Sequence, residues 1–328
     1  MPPPVIDIFN HCLPPRYIEA CRSNMTKPMV MFERAVQMPG MSNLDERRRI
    51  VDTFPGYQQF LSLASPAPES IAGPDASPDL VRIGNDCLAE WCQNDRHRFP
   101  GFIASLPMNH PDAALTEARR AVIELGAVGV QVYTHVNGAP MDRPQHLAVF
   151  ELMAQLDRPV WLHPLRLSRS PDYPDESISK FDLWWAFGWP HETSVCAGRL
   201  VFSGLFDRHP NLRIITHHGG GTLSMLEGRI ASGLKALGTR YAPGDLHAAE
   251  TPLKEAPIDA FRRFHADTAT FGSRIAIDAA TSFFGSDQMY FASDFPFASI
   301  EESLQAAEGL SDEILSQNAK RLLEPIDA

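Results

Sequence analysis

The feature that most constrains this 328-residue chain is a rhythm of short apolar runs separated by longer amphipathic stretches. The runs lie at 5–11, 57–65, 99–108, 127–135, 159–164, 212–218, 264–270 and 289–297. Several are apolar at most positions, which suits strands buried on both faces. Helical patterns fill the intervals at 79–97, 111–125, 144–156, 221–236 and 273–284, and two more, 300–308 and 312–323, close the chain. Pro111 and Asp112 open the second of these, and Gly126 stands just past its end. Such alternation predicts an α/β fold, a (β/α)8 TIM-type barrel forming one domain over residues 1–328. A doubly wound parallel sheet is the alternative.

Three segments do not fit as barrel elements. Residues 13–56 are rich in Met and Pro and hold apart the first two strands by more than one helix needs. They read as an insertion after strand one that covers the active-site face. Residues 66–78 (PAPESIAGPDASP) read as a surface loop. Residues 165–192 carry Trp184, Trp185, Phe187 and Trp189 after strand five. An insertion there lies on the C-terminal face, where barrel active sites form.

Charge narrows the partners. Lys and Arg total 29 against 40 for Asp and Glu, a net charge of −11 at pH 7. A nucleic acid or an anionic membrane would need a basic face. A small anionic substrate needs only a few local arginines. No apolar run approaches the ~20 residues that span a bilayer. The opening MPPPVIDIFNH lacks the basic and apolar regions of a signal peptide. Five scattered cysteines, an odd number without paired spacing, read as reduced thiols in a cytoplasmic protein.

Polar residues stand at the C-terminal ends of the predicted strands. They are Asp7, Asn10 and His11 on strand one, His135 on four, His163 on five, His217 and His218 on six, and Asp294 on eight. In a barrel these ends converge, and neutral imidazoles meeting a carboxylate there make a divalent-metal site. Any one of the histidines alone is more often a hydrogen-bonded structural residue.

DIFNHCLPP (7–15) resembles the DxHxHxxPP opening of the amidohydrolase superfamily. WLHP, THHGGG with Arg229 eleven residues after His218, SDFPF, and NAKRLL near the C-terminus resemble one branch of it. That branch contains aminocarboxymuconate-semialdehyde decarboxylase and the resorcylate- and carboxyvanillate-type decarboxylases. The stretch GWPHETSVCAGRLVFSGLFDRHPNLRII is a long match to the same branch. The resemblance implies His11, His163 and Asp294 as metal ligands, with Asp294 also carrying a proton. It implies His218 as the acid/base residue. Arg47 matches an arginine that binds a substrate carboxylate. Arg229 matches one that in some members reaches the neighbouring subunit's site, which implies a homodimer. Phe9, Trp189 and Phe297 line the substrate pocket in this reading.

One position departs from the pattern. The first ligand of the opening motif is Phe9 here, and a phenyl ring cannot ligate a metal. Three outcomes stay open. His11, His163 and Asp294 hold a divalent ion alone, as zinc, manganese or magnesium; His135 or His217 supplies a compensating ligand; or the metal is lost. Strand alternation turns His217 away from the cavity, and Asp7 reads as structural.

The expected function is a metal-dependent, non-oxidative decarboxylase, a carbon–carbon lyase acting on a small aromatic or unsaturated carboxylic acid. A metal-dependent hydrolase or hydratase on the same scaffold is the alternative. A metal-free binding protein that holds an aromatic acid between the tryptophans and an arginine ranks third.

Overall fold

The computed structural model describes residues 4–237 and 253–324. Eight parallel strands run in chain order around one sheet: β1 (Val5–Asp7), β2 (Tyr57–Leu63), β3 (Gly101–Ser105), β4 (Gly129–Tyr133), β5 (Val160–His163), β6 (Ile214–Thr216), β7 (His265–Asp267) and β8 (Met289–Tyr290). Each lies inside one of the eight apolar runs. The chain beyond β1 meets the chain beyond β8. There Ile8 N donates to Phe291 O (3.0 Å), Asp294 N to Phe9 O (2.9 Å) and His11 N to Phe295 O (2.7 Å). These bonds close the circle, and the fold is a (β/α)8 barrel.

Both faces of the sheet are dry, as the apolar runs require; every residue of β3, β4 and β5 is buried. The inner cluster takes a side chain from each strand or its flank, among them Ile6, Phe60, Ile103, Trp161, Ile215 and Tyr290. Trp161 is fully buried, and Gly129 makes room for it. A Cβ on Gly129 would stand 2.6 Å from the indole and 2.4 Å from Pro159 O. The larger outer cluster packs strands against helices Ser77–Asn94, Pro111–Ile123, Pro144–Gln155 and Arg274–Phe284. Their starts are written in sequence: Pro at the first turn of the first three, and a Ser273 side-chain cap on the fourth.

Two expected elements differ. Residues 221–236 do not form one helix but a succession of short 3₁₀ and π turns, Ser224–Leu226, Arg229–Gly233 and Leu234–Ala236. Gly228 and Gly233 interrupt the stretch, and each costs a helix about 1 kcal/mol relative to Ala. Residues 66–78 are not an open loop. Ala67 and Glu69 are buried, and Pro68–Ile71 form a helical turn. Burial pushes the Glu69 carboxyl up to about 7. Residues 13–56 fold into three helices, Pro15–Asn24, Val30–Val36 and Leu44–Asp52. Among the described residues, no helix is long and apolar enough to cross a membrane.

Candidate active site

The strand ends deliver four imidazoles and two carboxylates to one place. Phe9 and His11 come from the extension of β1, His163 from the last position of β5, and His217 and His218 from the turn after β6. Asp267 ends β7, and Asp294 follows β8. His11 Nε2 stands 3.2 Å from Asp294 Oδ1, both groups buried. The His11 and His163 ring centres are 5.5 Å apart, and those of His163 and His217 5.7 Å. His218 and Asp294 both hold left-handed backbone, φ +56° and +63°. Non-glycine residues in that region carry strain of about 1–3 kcal/mol, a cost found most often at functional sites.

Phe9 occupies the middle. Its fully buried ring stacks on His217 at 3.4 Å and lies 4.5 Å from His11, 5.6 Å from His163 and 5.6 Å from His218.

Three of the imidazoles are oriented alike. Nδ1 of His163 meets Pro164 O at 2.6 Å, Nδ1 of His217 meets Asp267 Oδ2 at 2.7 Å, and Nδ1 of His218 meets Ala269 O at 2.8 Å. Each acceptor fixes the ring N–H at Nδ1, which leaves the Nε2 lone pair free. Burial, reinforced by neighbouring imidazoles, drives His163 and His217 well below the usual histidine range and keeps both neutral at pH 7. Burial raises Asp267 to about 6, against the pull of His218 and of backbone N–H donors. A neutral imidazole whose other nitrogen is held by a carboxylate or carbonyl is the arrangement found behind metal ligands.

A family model described as amidohydrolase matches residues 59–324. The chain belongs to the amidohydrolase family. A gamma-resorcylate decarboxylase from Rhodococcus jostii (strain RHA1) is 35% identical over 277 residues, covering 80% of this chain and 79% of the relative. A 2-amino-3-carboxymuconate-6-semialdehyde decarboxylase from Dictyostelium discoideum is 29% identical over 260 residues, covering 77% and 68%. A solved dihydroxybenzoic acid decarboxylase from Polaromonas sp. JS666, with bound manganese and the inhibitor 2-nitroresorcinol, superposes with a TM-score of 0.78. It is 27% identical, and the match covers 98% of this chain and 96% of that one.

In this amidohydrolase the barrel gathers His11, His163, His218, Asp294 and Phe9. Trp189 and Phe297 join the rim, with ring centres 5.4 Å from His163 and 5.6 Å from His11 respectively. Neither Arg47 nor Arg229 turns its guanidinium to the imidazole cluster. Arg47 is completely buried and committed. Its guanidinium donates to His11 O (2.6 Å), Gly40 O (3.1 Å), Gln59 Oε1 (2.8 Å) and Asn10 Oδ1, and lies over the Phe295 ring. With four donors spent on the protein, it positions the β1 extension and has no fork left for a substrate carboxylate. Arg229 lines an open surface depression with Leu226, Ile230 and Leu234, and none of the histidines borders that depression. His135 Nδ1 accepts from Gly138 N (3.2 Å), which ties the ring to its own hairpin turn.

His217 is the clearest correction. Ile215 belongs to the inner cluster, and His217, two residues on in extended backbone (φ −87°, ψ 164°), faces the same side; the left-handed backbone that starts at His218 then turns the chain so that the next imidazole follows. Both His217 and His218 therefore come to lie against Phe9. Asp267 follows the same rule that marks Asp294, a lone carboxylate at a strand end. Beneath the site, Asp7 accepts from Tyr57 Oη, Ser293 Oγ, Phe9 N and Ser293 N, and so ties β1 to β2 and β8.

The donor chemistry fits a divalent cation: neutral imidazoles with free Nε2 atoms beside a carboxylate. Among the described residues, however, no group of three or more His, Cys, Asp or Glu side chains is placed to hold a metal ion. His11 and Asp294 contact each other directly, and the Phe9 ring stands between the imidazoles.

Proposed function

We propose that this amidohydrolase is a metal-dependent, non-oxidative decarboxylase of a small aromatic or unsaturated carboxylic acid. The observation that carries the reading is the meeting of His11 and Asp294 at 3.2 Å, beside His163, at the buried C-terminal mouth of the barrel. The decarboxylase relatives support the choice of reaction.

Loss of CO₂ leaves an electron pair on carbon, so that carbon must be protonated or its charge spread. A divalent ion held by His11, His163 and Asp294 would, when bound, orient the acid and draw off electron density. Manganese, zinc and magnesium all suit this donor set. The Asp294 carboxyl delivers the proton to the ring carbon. His218, with Nδ1 given to Ala269 O, keeps Nε2 for exchanging that proton. Phe9, Trp189 and Phe297 provide apolar walls against the substrate ring and keep water out. Arg47, by bonding the His11 carbonyl, holds a ligand-bearing segment in place. Residues 13–56, which supply Arg47, form the cover of this face.

Arg229 serves a neighbouring subunit's site in a homodimer, consistent with its place on an open depression near the exposed Met225. The five buried free cysteines suit a reducing cytoplasm.

The test is a panel of hydroxybenzoates and muconate semialdehydes offered to metal-loaded protein. Release of CO₂ from at least one is expected. Silence across the panel contradicts the proposal. Solvent ¹⁸O entering the product without CO₂ assigns the scaffold to hydrolysis or hydration instead.

A further inference from the structure

Phe271 breaks two rules at once. It is large and apolar yet 45% exposed, and its backbone is left-handed, φ +53°. With Gly272, φ +76°, it forms the centre of a turn closed by Ser273 N donating to Thr270 O (3.1 Å). Two positive φ values at the centre of a turn favour Asn, Asp or Gly, and a bulky side chain there is an outlier. Partial burial leaves that strain poorly offset, and such outliers cluster where ligands bind. The ring lies nearly parallel to His218, 5.8 Å away with 25° between planes, and edge-on to Trp185 at 5.5 Å. Trp185 meets Trp189 (6.4 Å), Trp189 meets His163 (5.4 Å), His163 meets Phe9 (5.6 Å), and Phe9 returns to His218 (5.6 Å). These six rings close a circuit. Phe9 and His163 are buried at one end, and Phe271 and Trp185, the latter 39% exposed, form the other. The circuit thus runs from the imidazoles outward to solvent, and its outer edge is aromatic. One loop serves both ends, because Ala269 O, which accepts from His218 Nδ1 at 2.8 Å, lies two positions before Phe271.

We propose that Phe271 is a substrate-binding residue of this chain, forming with Trp185 an outer wall that packs on the ring of an aromatic carboxylic acid. The inference rests on the substrate reading above and deepens it, since flat rings at the lip select a planar aromatic acid over a saturated or open-chain one. It does not depend on a metal ion. His218 covers part of the Phe271 ring, and the exposed remainder is the surface the ligand covers. The strained turn persists because it holds the ring at that lip.

The test uses the full chain, with Mn²⁺ supplied equally to every variant, and measures salicylate binding by calorimetry beside the thermal midpoint. Wild type is expected to bind salicylate more tightly than 2-hydroxycyclohexanecarboxylate, which has the same charge and hydroxyl but no flat ring. Phe271→Asn, which suits the turn, should keep or raise the midpoint and weaken salicylate binding at least about fivefold. Phe271→Tyr should bind as wild type does. A purely structural ring would give the reverse, a lower midpoint with binding kept. Phe271→Leu replaces the asparagine variant if that chain does not fold. Binding within about twofold of wild type in the variant that folds overturns the inference. If sedimentation then shows a dimer lost, the exposed ring belongs to an interface between copies of the chain. If wild type prefers salicylate but releases CO₂ from no acid of the panel, the decarboxylase reading falls and this inference stands. If wild type releases CO₂ yet binds salicylate no better than the saturated acid, the inference falls alone. If it does neither, both fall.

Discussion

Asp7 and Asp267 are both fully buried, both end barrel strands, and both are pushed up to about 6 by burial. They nevertheless do different work. Asp7 accepts from four donors, two side-chain hydroxyls and two backbone N–H groups, and its partners lie on β2 and just beyond β1 and β8. It is saturated and seals the seam where the barrel closes. Asp267 spends one oxygen on an imidazole whose far nitrogen is left without a partner. The same residue type at matching strand positions is thus a staple of the barrel seam in one place and the anchor of a histidine ring in the other. What distinguishes them is the kind of partner, hydroxyls and backbone N–H groups on Asp7 and an imidazole on Asp267, which strand position alone does not reveal.

The largest effect expected on the chemical side is from Asp294→Asn. It keeps the shape but removes the proton carrier and a ligand charge, and CO₂ release should fall at least about 10³-fold with the thermal midpoint little changed. A variant that retained substantial turnover would move the chemistry away from the β1–β8 seam. Next is Arg47→Ala, which strips partners from His11 O, Gly40 O, Gln59 and Asn10. Denaturant unfolding should show a loss of about 3 kcal/mol. A raised KM with unchanged stability would instead make Arg47 a substrate clamp.

The pH dependence of stability sharpens the contrast further. The folded Asp7 carboxyl lies near 6, above its ordinary 3.8. An acid raised by folding contributes stability that is complete below the ordinary value and is lost as pH rises through the folded one. Stability attributable to Asp7 should therefore decline between pH 4 and 6, by up to about 3 kcal/mol. Asp7→Asn should flatten that slope in denaturation midpoints taken across the window; an unchanged slope would locate the titration elsewhere. The smallest effect belongs to the rim. Trp189→Phe removes the indole bond to Arg166 O (3.1 Å) and should cost about 1 kcal/mol. Because the ring itself remains, KM should shift only a few-fold, and a large change in kcat would place Trp189 in the chemistry.

The barrel was readable because parallel strands buried on both faces must be apolar along their length, and all eight runs contain a strand. His11, His163, His218 and Asp294 were readable because barrel strand ends converge. His217 was misplaced because alternation has to be counted from Ile215, which packs inside the barrel, and sequence alone does not say which of Ile214 and Ile215 faces in. Arg47 was readable as inward-turning in an Arg-Arg-Arg run but not in its role, since its partners are mainly backbone carbonyls and amide side chains 7 to 37 positions away. Residues 66–78 looked like a loop because of their four prolines and a glycine. Burial of Ala67 and Glu69 depends on tertiary neighbours that composition does not encode.

The account depends on a cation sitting at the mouth of the barrel. Crystals grown with Mn²⁺ and measured at the manganese absorption edge test this directly. One anomalous peak per chain is predicted, within bonding distance of His11 Nε2, His163 Nε2 and an Asp294 oxygen, with the direct His11–Asp294 contact opened. A map with no peak there, and His11 still resting against Asp294, would contradict it.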